Sequence, residues 1–76
     1  MKVRIRAFGP LTDEIHGPLE LENVEDTHQV EAYLRVHFPG FGKTRYLMAV
    51  DRQTVTGNTP LKEGSEIALL PAFSGG

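Results

Sequence analysis

The sequence contains no cysteine and no long apolar run. Without Cys the 76-residue chain can form no disulfide, no thiolate nucleophile and no Cys-ligated zinc site, so its fold must be held by packing alone. Residues 1–8 alternate charged and apolar side chains instead of forming a signal peptide, and no segment is long enough to span a bilayer. We therefore expect a cytoplasmic protein without a membrane partner.

The chain also lacks an excess of basic residues. Its 8 Lys+Arg and 10 Asp+Glu give a formal net charge of −2, whereas binding to phosphate backbones requires a basic surplus. We expect no nucleic-acid partner. A domain of this length buries only roughly 60% of its unfolded surface, which leaves little room for a catalytic cleft. The chain is therefore not expected to be an enzyme on its own.

Two short alternating segments predict an opening hairpin. Residues 2–7 and residues 19–22 each alternate polar and apolar side chains with the period of a strand, and Gly-Pro pairs separate them. Opposite charges facing each other across the strands would add a little stability. The charged residues predicted to share one sheet face are Lys2, Arg4, Arg6, Glu20 and Glu22.

A helix is predicted next. Asp26 stands three residues before Gln29, an Asp variant of the capping box. Pro39-Gly40 ends the helix, and Glu31 with Arg35 has the spacing of an i,i+4 ion pair. The apolar stripe, at helical spacing, consists of Val30, Tyr33, Leu34 and Phe38.

Further strands are predicted over residues 46–50, 54–55 and 66–70, with Asp51-Arg52-Gln53 as a turn and Pro71 stopping regular pairing. This gives an α+β fold in which one helix packs on a four- or five-stranded mixed sheet. The arrangement indicates a ubiquitin-like β-grasp, although the pattern alone leaves the strand order open. We expect a β-grasp domain over residues 1–71 and a flexible tail over 72–76. The sheet residues expected beneath the helix are Val3, Ile5, Leu19, Leu21, Ile67 and Leu69.

Two candidate sites, a phosphate-binding loop and a histidine metal site, are not supported by the residues around them. Gly42-Lys43-Thr44 resembles the end of a phosphate-binding loop, but it follows a helix instead of opening one, and His37 stands where that motif needs glycine. His16, His28 and His37 have no recognised ligand spacing and belong to different elements. We expect no metal and no stably bound cofactor.

The C-terminal residues Ser74-Gly75-Gly76 carry the strongest signal. Glycines after a last strand give a tail without side chains, which can be threaded through a narrow channel into another protein's active site. A terminal carboxylate can attack the α-phosphate of ATP to give an acyl adenylate, which a sulfur or nitrogen nucleophile then displaces. The alternative is a glycine terminus with no role.

The second half of the chain resembles the MoaD/ThiS sulfur-carrier family. The matching stretches are 47–53 and 60–76. The family has a Pro-Leu-x-x-Gly-Asp-Glu turn, an apolar strand and a Pro-bearing Gly-Gly tail, which Pro60–Glu66 and Pro71–Gly76 resemble. Ala7-Phe8 at the end of the first strand agrees more weakly.

The resemblance implies roles for individual residues. Gly76 would be adenylated and converted to a thiocarboxylate, and Gly75 would provide clearance. The partner-binding residues would be Phe73, Phe8, Leu70, Leu61 and Ser74, although Leu61 and Leu70 could equally complete the core.

Among the branches of the family, the tail is closest to the small subunit of molybdopterin synthase. Ala72 and Gly9–Asp13 depart from that branch, so a thiamine or other sulfur-carrier branch, or a modifier joined to lysines through Gly76, stays open. The implied partners are an adenylating enzyme of the MoaB/MoeB/ThiF kind, which uses ATP, and the large subunit of molybdopterin synthase or another sulfur acceptor.

Overall fold

The computed structural model describes residues 2–43 and 45–72. The predicted tail residues Phe73, Ser74, Gly75 and Gly76 therefore lie outside the described residues. No helix of the described part is long and apolar enough to cross a membrane. The elements in chain order are β1 (Lys2–Ala7), a 3-10 helix (Gly9–Asp13), β2 (Leu19–Glu22), α1 (Thr27–His37), β3 (Tyr46–Val50), β4 (Gln53–Val55) and β5 (Glu66–Pro71).

The strands form one mixed sheet in the order β2-β1-β5-β3-β4. The two central strands, β1 and β5, run parallel with Ile5 opposite Ile67, and every other pair is antiparallel. A parallel pair needs a long crossover connection, which here contains the 3-10 helix, β2, α1, β3 and β4. This confirms the α+β, β-grasp prediction and supplies the strand order that the pattern left open.

The core lies between α1 and one face of the sheet. Val30 and Leu34 of the helix stripe are fully buried, while Tyr33 and Phe38 are half-buried at its edge. The sheet residues predicted beneath the helix are confirmed in this cluster. The structure adds buried side chains from connecting segments and from β3: Leu11, Ile15, Val24, Phe41, Met48 and Leu61.

The helix begins as predicted but one predicted ion pair is absent. The Gln29 N–H donates to Asp26 Oδ1 at 2.9 Å. The Gln29 side chain accepts at 2.7 Å from the N–H of Glu25, the residue before the N-cap, whereas a standard capping box uses the N–H of the N-cap residue itself. Glu31 and Arg35 form no ion pair in the described part of the chain. Glu31 instead accepts a hydrogen bond from the Tyr46 hydroxyl, which directs its carboxylate toward the sheet.

Three predicted boundaries shift. Gly9–Asp13, expected as a loop, forms a 3-10 helix because Leu11 is buried against the core. Gln53, expected in the turn, already pairs with Val50. Pro71 does not stop the pairing: it lies opposite Tyr46, and the next N–H, that of Ala72, donates to the Arg45 carbonyl at 3.2 Å.

Candidate partner-binding face

One face of the sheet is not covered by α1, and we call it the outer face. Side chains alternate along β5, so that Ile67 and Leu69 point into the core while Ala68 and Leu70 point outward. The register places Leu47 of β3 directly opposite Leu70. An apolar strip therefore crosses the outer face beside the C-terminal end of β5.

Phe8 extends this strip from the first strand. It follows β1 immediately, and its N–H donates to the Leu69 carbonyl at 3.0 Å, which fixes it beside β5. Its ring lies 5.7 Å from the Arg6 guanidinium carbon and remains 40% exposed. Leu47 is 47% exposed. Phe8, Leu47, Ala68 and Leu70 together form what we call the apolar patch, and exposed apolar side chains grouped in this way are typical of protein interaction sites.

The patch lies at the end of the sheet where the chain continues into residues 73–76. Parallel pairing brings the C-terminal ends of β1 and β5 together, so Phe8 and Pro71 lie at the same end. Gly9 permits this packing: its φ is +61°, and a Cβ there would lie 3.0 Å from Pro71 Cγ. The apolar patch therefore lies at the end of β5 from which the chain leads into residues 73–76.

The predicted partner-binding residues have different positions. Phe8 and Leu70 share the outer face. Leu61 is buried in the core at 8% exposure, and its N–H donates to the Glu25 carbonyl, so it contributes to the core and not to this surface. Phe73, Ser74, Gly75 and Gly76 lie outside the described residues.

Sequence reasoning did not identify Leu47 and Ala68. Residues 46–50 are apolar at every position, so no alternation shows which of their side chains face outward. The signal that could have found them is the alternation in β5 combined with antiparallel pairing, which places Leu47 opposite Leu70.

The outer face has a charged side beyond the patch. Arg4 and Glu20 form an ion pair at 3.3 Å between β1 and β2, as the predicted face-sharing suggested. Exposed pairs of this kind contribute little to stability. A depression of about 240 Å³ lies beside the patch, and its lining consists of Arg6, Phe8, Arg52, Glu66, Ile67 and Ala68.

The helix side of the sheet contains a second depression, of about 300 Å³, between α1 and β3. The Tyr46 hydroxyl lies there, donating to Glu31; burial, and then this carboxylate, raise the pKa of Tyr46 well above its ordinary value. Within residues 2–43 and 45–72, no three His, Asp or Glu side chains are grouped to hold a metal ion.

Comparison with known proteins agrees with this picture. The sequence model of the ThiS family matches residues 7–76. No curated protein sequence matches the chain. Among solved structures, a chain of the complex of subunits 1 and 2 of molybdopterin-converting factor from Helicobacter pylori 26695 is 28% identical with a TM-score of 0.77, and both chains are covered completely.

A second solved structure supports the fold alone. SAMP1 from Haloferax volcanii is 15% identical to this chain and superposes with a TM-score of 0.78, again over the full length of both chains. A β-grasp fold, a Gly-Gly terminus and a family match over 70 of 76 positions (residues 7 to 76) agree with one another. The chain therefore belongs to the ThiS family and is a sulfur carrier of the MoaD/ThiS type.

Proposed function

We propose that the chain carries sulfur as a thiocarboxylate on Gly76 and acts as the small, non-catalytic subunit of molybdopterin synthase in molybdenum cofactor biosynthesis. One observation carries the proposal: the apolar patch lies at the end of the sheet from which the chain leads into Gly75-Gly76. The similarity to a chain of a two-subunit molybdopterin-converting factor supports this branch of the family.

The chemistry takes place at the terminal carboxylate. On an adenylating enzyme, a Gly76 carboxylate oxygen attacks the α-phosphate of ATP and releases pyrophosphate. Hydrosulfide then attacks the acyl carbonyl and displaces AMP, and loss of the S–H proton leaves a thiocarboxylate. Because the chain has no Cys, the carbonyl of Gly76 is the natural place for the transferable sulfur. After the thiocarboxylate sulfur has bonded to the acceptor, water cleaves the bond between that sulfur and the Gly76 carbonyl carbon, which leaves the sulfur on the acceptor and restores the carboxylate for another cycle.

The apolar patch supplies the binding energy that holds the partner while the terminus is in its active site. Leu47 and Phe8 are large, exposed and rigidly placed by the sheet, which suits residues that contribute most to an interface. Burying their apolar area would favour association at about 25 cal/mol per Å², less the cost of immobilising two proteins.

Docking can be tested with a matched pair of variants. We expect Leu47→Asp to weaken binding to the purified large subunit of molybdopterin synthase at least about tenfold, because a charge would be buried in the interface. Val36→Asp is the control, since Val36 is exposed on α1, in the other layer of the fold. Equal affinity of the two variants, measured by isothermal titration calorimetry, would contradict docking through the patch.

The assignment to the molybdopterin synthase branch of the family is tested by reconstituting sulfur transfer from purified components. The chain is loaded with sulfur, mixed with the large subunit and its pterin precursor, and the sulfurated product is quantified. We expect transfer from the full chain and none after deletion of Gly76, with the same thermal unfolding for both. Transfer from the truncated chain, or loading of Gly76 without transfer, contradicts the proposed branch. Adducts to lysines through Gly76 would instead support a protein modifier.

A further inference from the structure

The depression on the outer face has an uneven charge. The small residue Ala68 and the aromatic residue Phe8 both line it. Two arginines, Arg6 and Arg52, line it together with a single acidic residue, Glu66. The lining of the depression therefore contains two basic side chains and one acidic one, although the whole chain has a formal net charge of −2.

Neither arginine is used by the fold. In the described part of the chain, Arg6 and Arg52 form no ion pair, and their side chains donate no hydrogen bond. Arg4, which precedes Arg6 by two residues on the same face of β1, differs because it forms an ion pair with Glu20. In the described residues, the Arg6 guanidinium carbon lies 5.7 Å from the centroid of the Phe8 ring, against which the flat group can stack while its N–H groups stay available.

Arg52 occupies a backbone position that glycine would fill more easily. It is the second residue of the two-residue turn between β3 and β4, with φ at +73° after Asp51 at +49°. Such turns favour Asn-Gly or Asp-Gly because a Cβ is disfavoured at positive φ. Asp51 has a structural task, since it accepts from the Glu66 N–H at 2.9 Å and donates its own N–H to the Glu66 carbonyl at 2.8 Å. Within residues 2–43 and 45–72, the side chain of Arg52 makes no hydrogen bond or ion pair of this kind.

We propose that Arg6 and Arg52 form a carboxylate-binding pair that recognises an acidic residue of the protein docked on the apolar patch. The inference rests on the proposed function, and it commits to the large subunit of molybdopterin synthase as the occupant. An apolar side chain of that partner would fill the depression lined by Ala68, and an adjacent Asp or Glu would accept hydrogen bonds from the two guanidinium groups. Apolar contacts thus give affinity, and the arginines select partners by charge.

The test measures the affinity of the full-length chain for the purified large subunit at low and at high sodium chloride concentration. The double variant Arg6→Glu/Arg52→Glu is expected to bind about tenfold more weakly at low salt. The difference should shrink at high salt, because screening weakens the wild-type charge pairs. Arg35→Glu, which makes half of that charge change on the exposed surface of α1, should bind like the wild type.

Two substitutions at the turn separate binding from folding. Arg52→Ala and Arg52→Gly both remove the guanidinium and should weaken binding equally, by about threefold. Only glycine relieves the positive φ, so Arg52→Gly should melt at a higher temperature than Arg52→Ala. Loss of affinity in a variant that is at least as stable as the wild type cannot result from poor folding.

The outcomes are distinct. Salt-sensitive loss of affinity in the arginine variants, with Arg35→Glu unaffected, supports the pair. Wild-type affinity in all arginine variants overturns the pair and leaves the proposed function intact. Failure of the wild-type chain itself to bind the large subunit contradicts the proposed function, and the arginine pair with it.

Discussion

Tyr46 links the helix to the sheet through a single hydroxyl group. Its hydroxyl donates to the Glu31 carboxylate, and its ring packs against Phe41 with centroids 4.9 Å apart. Burial and the neighbouring carboxylate both disfavour the tyrosinate, which raises the pKa of Tyr46 above its ordinary value of 10.0. The folded state therefore holds this proton more tightly than the unfolded state does.

This proton gives a pH-dependent prediction. Tyr46→Phe should lower the free energy of unfolding by about 1 kcal/mol near neutral pH, because the hydrogen bond is lost. Above pH 10 the unfolded chain loses the Tyr46 proton before the folded chain does, so wild-type stability should fall as pH rises there. The variant lacks this contribution and should lose stability more slowly. Urea unfolding at pH 7 and at several values above pH 10 measures both effects.

The control for this prediction is Tyr33→Phe. The Tyr33 ring stacks on His37 with centroids 4.1 Å apart, and its hydroxyl makes no hydrogen bond in the described part of the chain. Its removal should change neutral-pH stability by less than about 0.5 kcal/mol. A loss as large as that of Tyr46→Phe would contradict the role assigned to the Glu31 contact.

At the scale of single elements, the carboxylate of Asp26 caps the start of α1. Asp26 accepts from the Gln29 N–H at 2.9 Å, which satisfies a helix donor that has no partner within the helix. Asp26→Ala should cost about 1 kcal/mol of unfolding free energy, whereas Asp26→Asn keeps an acceptor oxygen and should cost only a few tenths. Chemical denaturation compares them, and equal losses would argue against capping as the cause.

Helices and strands were predictable where one buried face gives the sequence a regular spacing of apolar residues. The alternation in β1 and β2, the apolar stripe of α1 and the Asp26 cap each depend on residues close in sequence, and all are present. The 3-10 helix at Gly9–Asp13 was not predictable, because five residues are too few to show a period. Leu11 is buried there by tertiary packing.

The candidate surface was only half predictable for a related physical reason. Phe8 and Leu70 were expected from the family resemblance, but Leu47, Ala68 and the two arginines join them through strand pairing between distant segments. Pairing register sets which side chains share a face, and single-strand patterns do not contain it. The position of Leu61 also depends on tertiary packing: it lies in a loop without a periodic pattern, and yet it is part of the core.

At the scale of the whole molecule, the small core leaves little reserve of stability. Leu34 is fully buried at the centre of α1 against the sheet. Leu34→Ala should lower the unfolding free energy by about 2–5 kcal/mol, a large part of the total expected for so small a domain. Thermal unfolding by circular dichroism should therefore show a much lower midpoint.

Val36→Ala on the same helix is the matched control. Val36 is 75% exposed, so its truncation leaves no cavity and should change the midpoint only slightly. Similar shifts for the two variants would show that α1 does not pack on the sheet as described.

The central claim is that Gly76 carries the sulfur, and the most direct measurement is the mass of the C-terminal fragment. The chain is incubated with ATP, a sulfide donor and the adenylating enzyme of its host, and then fragmented. We predict that one oxygen is replaced by sulfur in the fragment ending at Gly76, and only when ATP is present. Oxidation of Met1 or Met48 adds nearly the same mass but falls in other fragments. An unmodified Gly76 under conditions in which the enzyme forms the acyl adenylate would contradict the account.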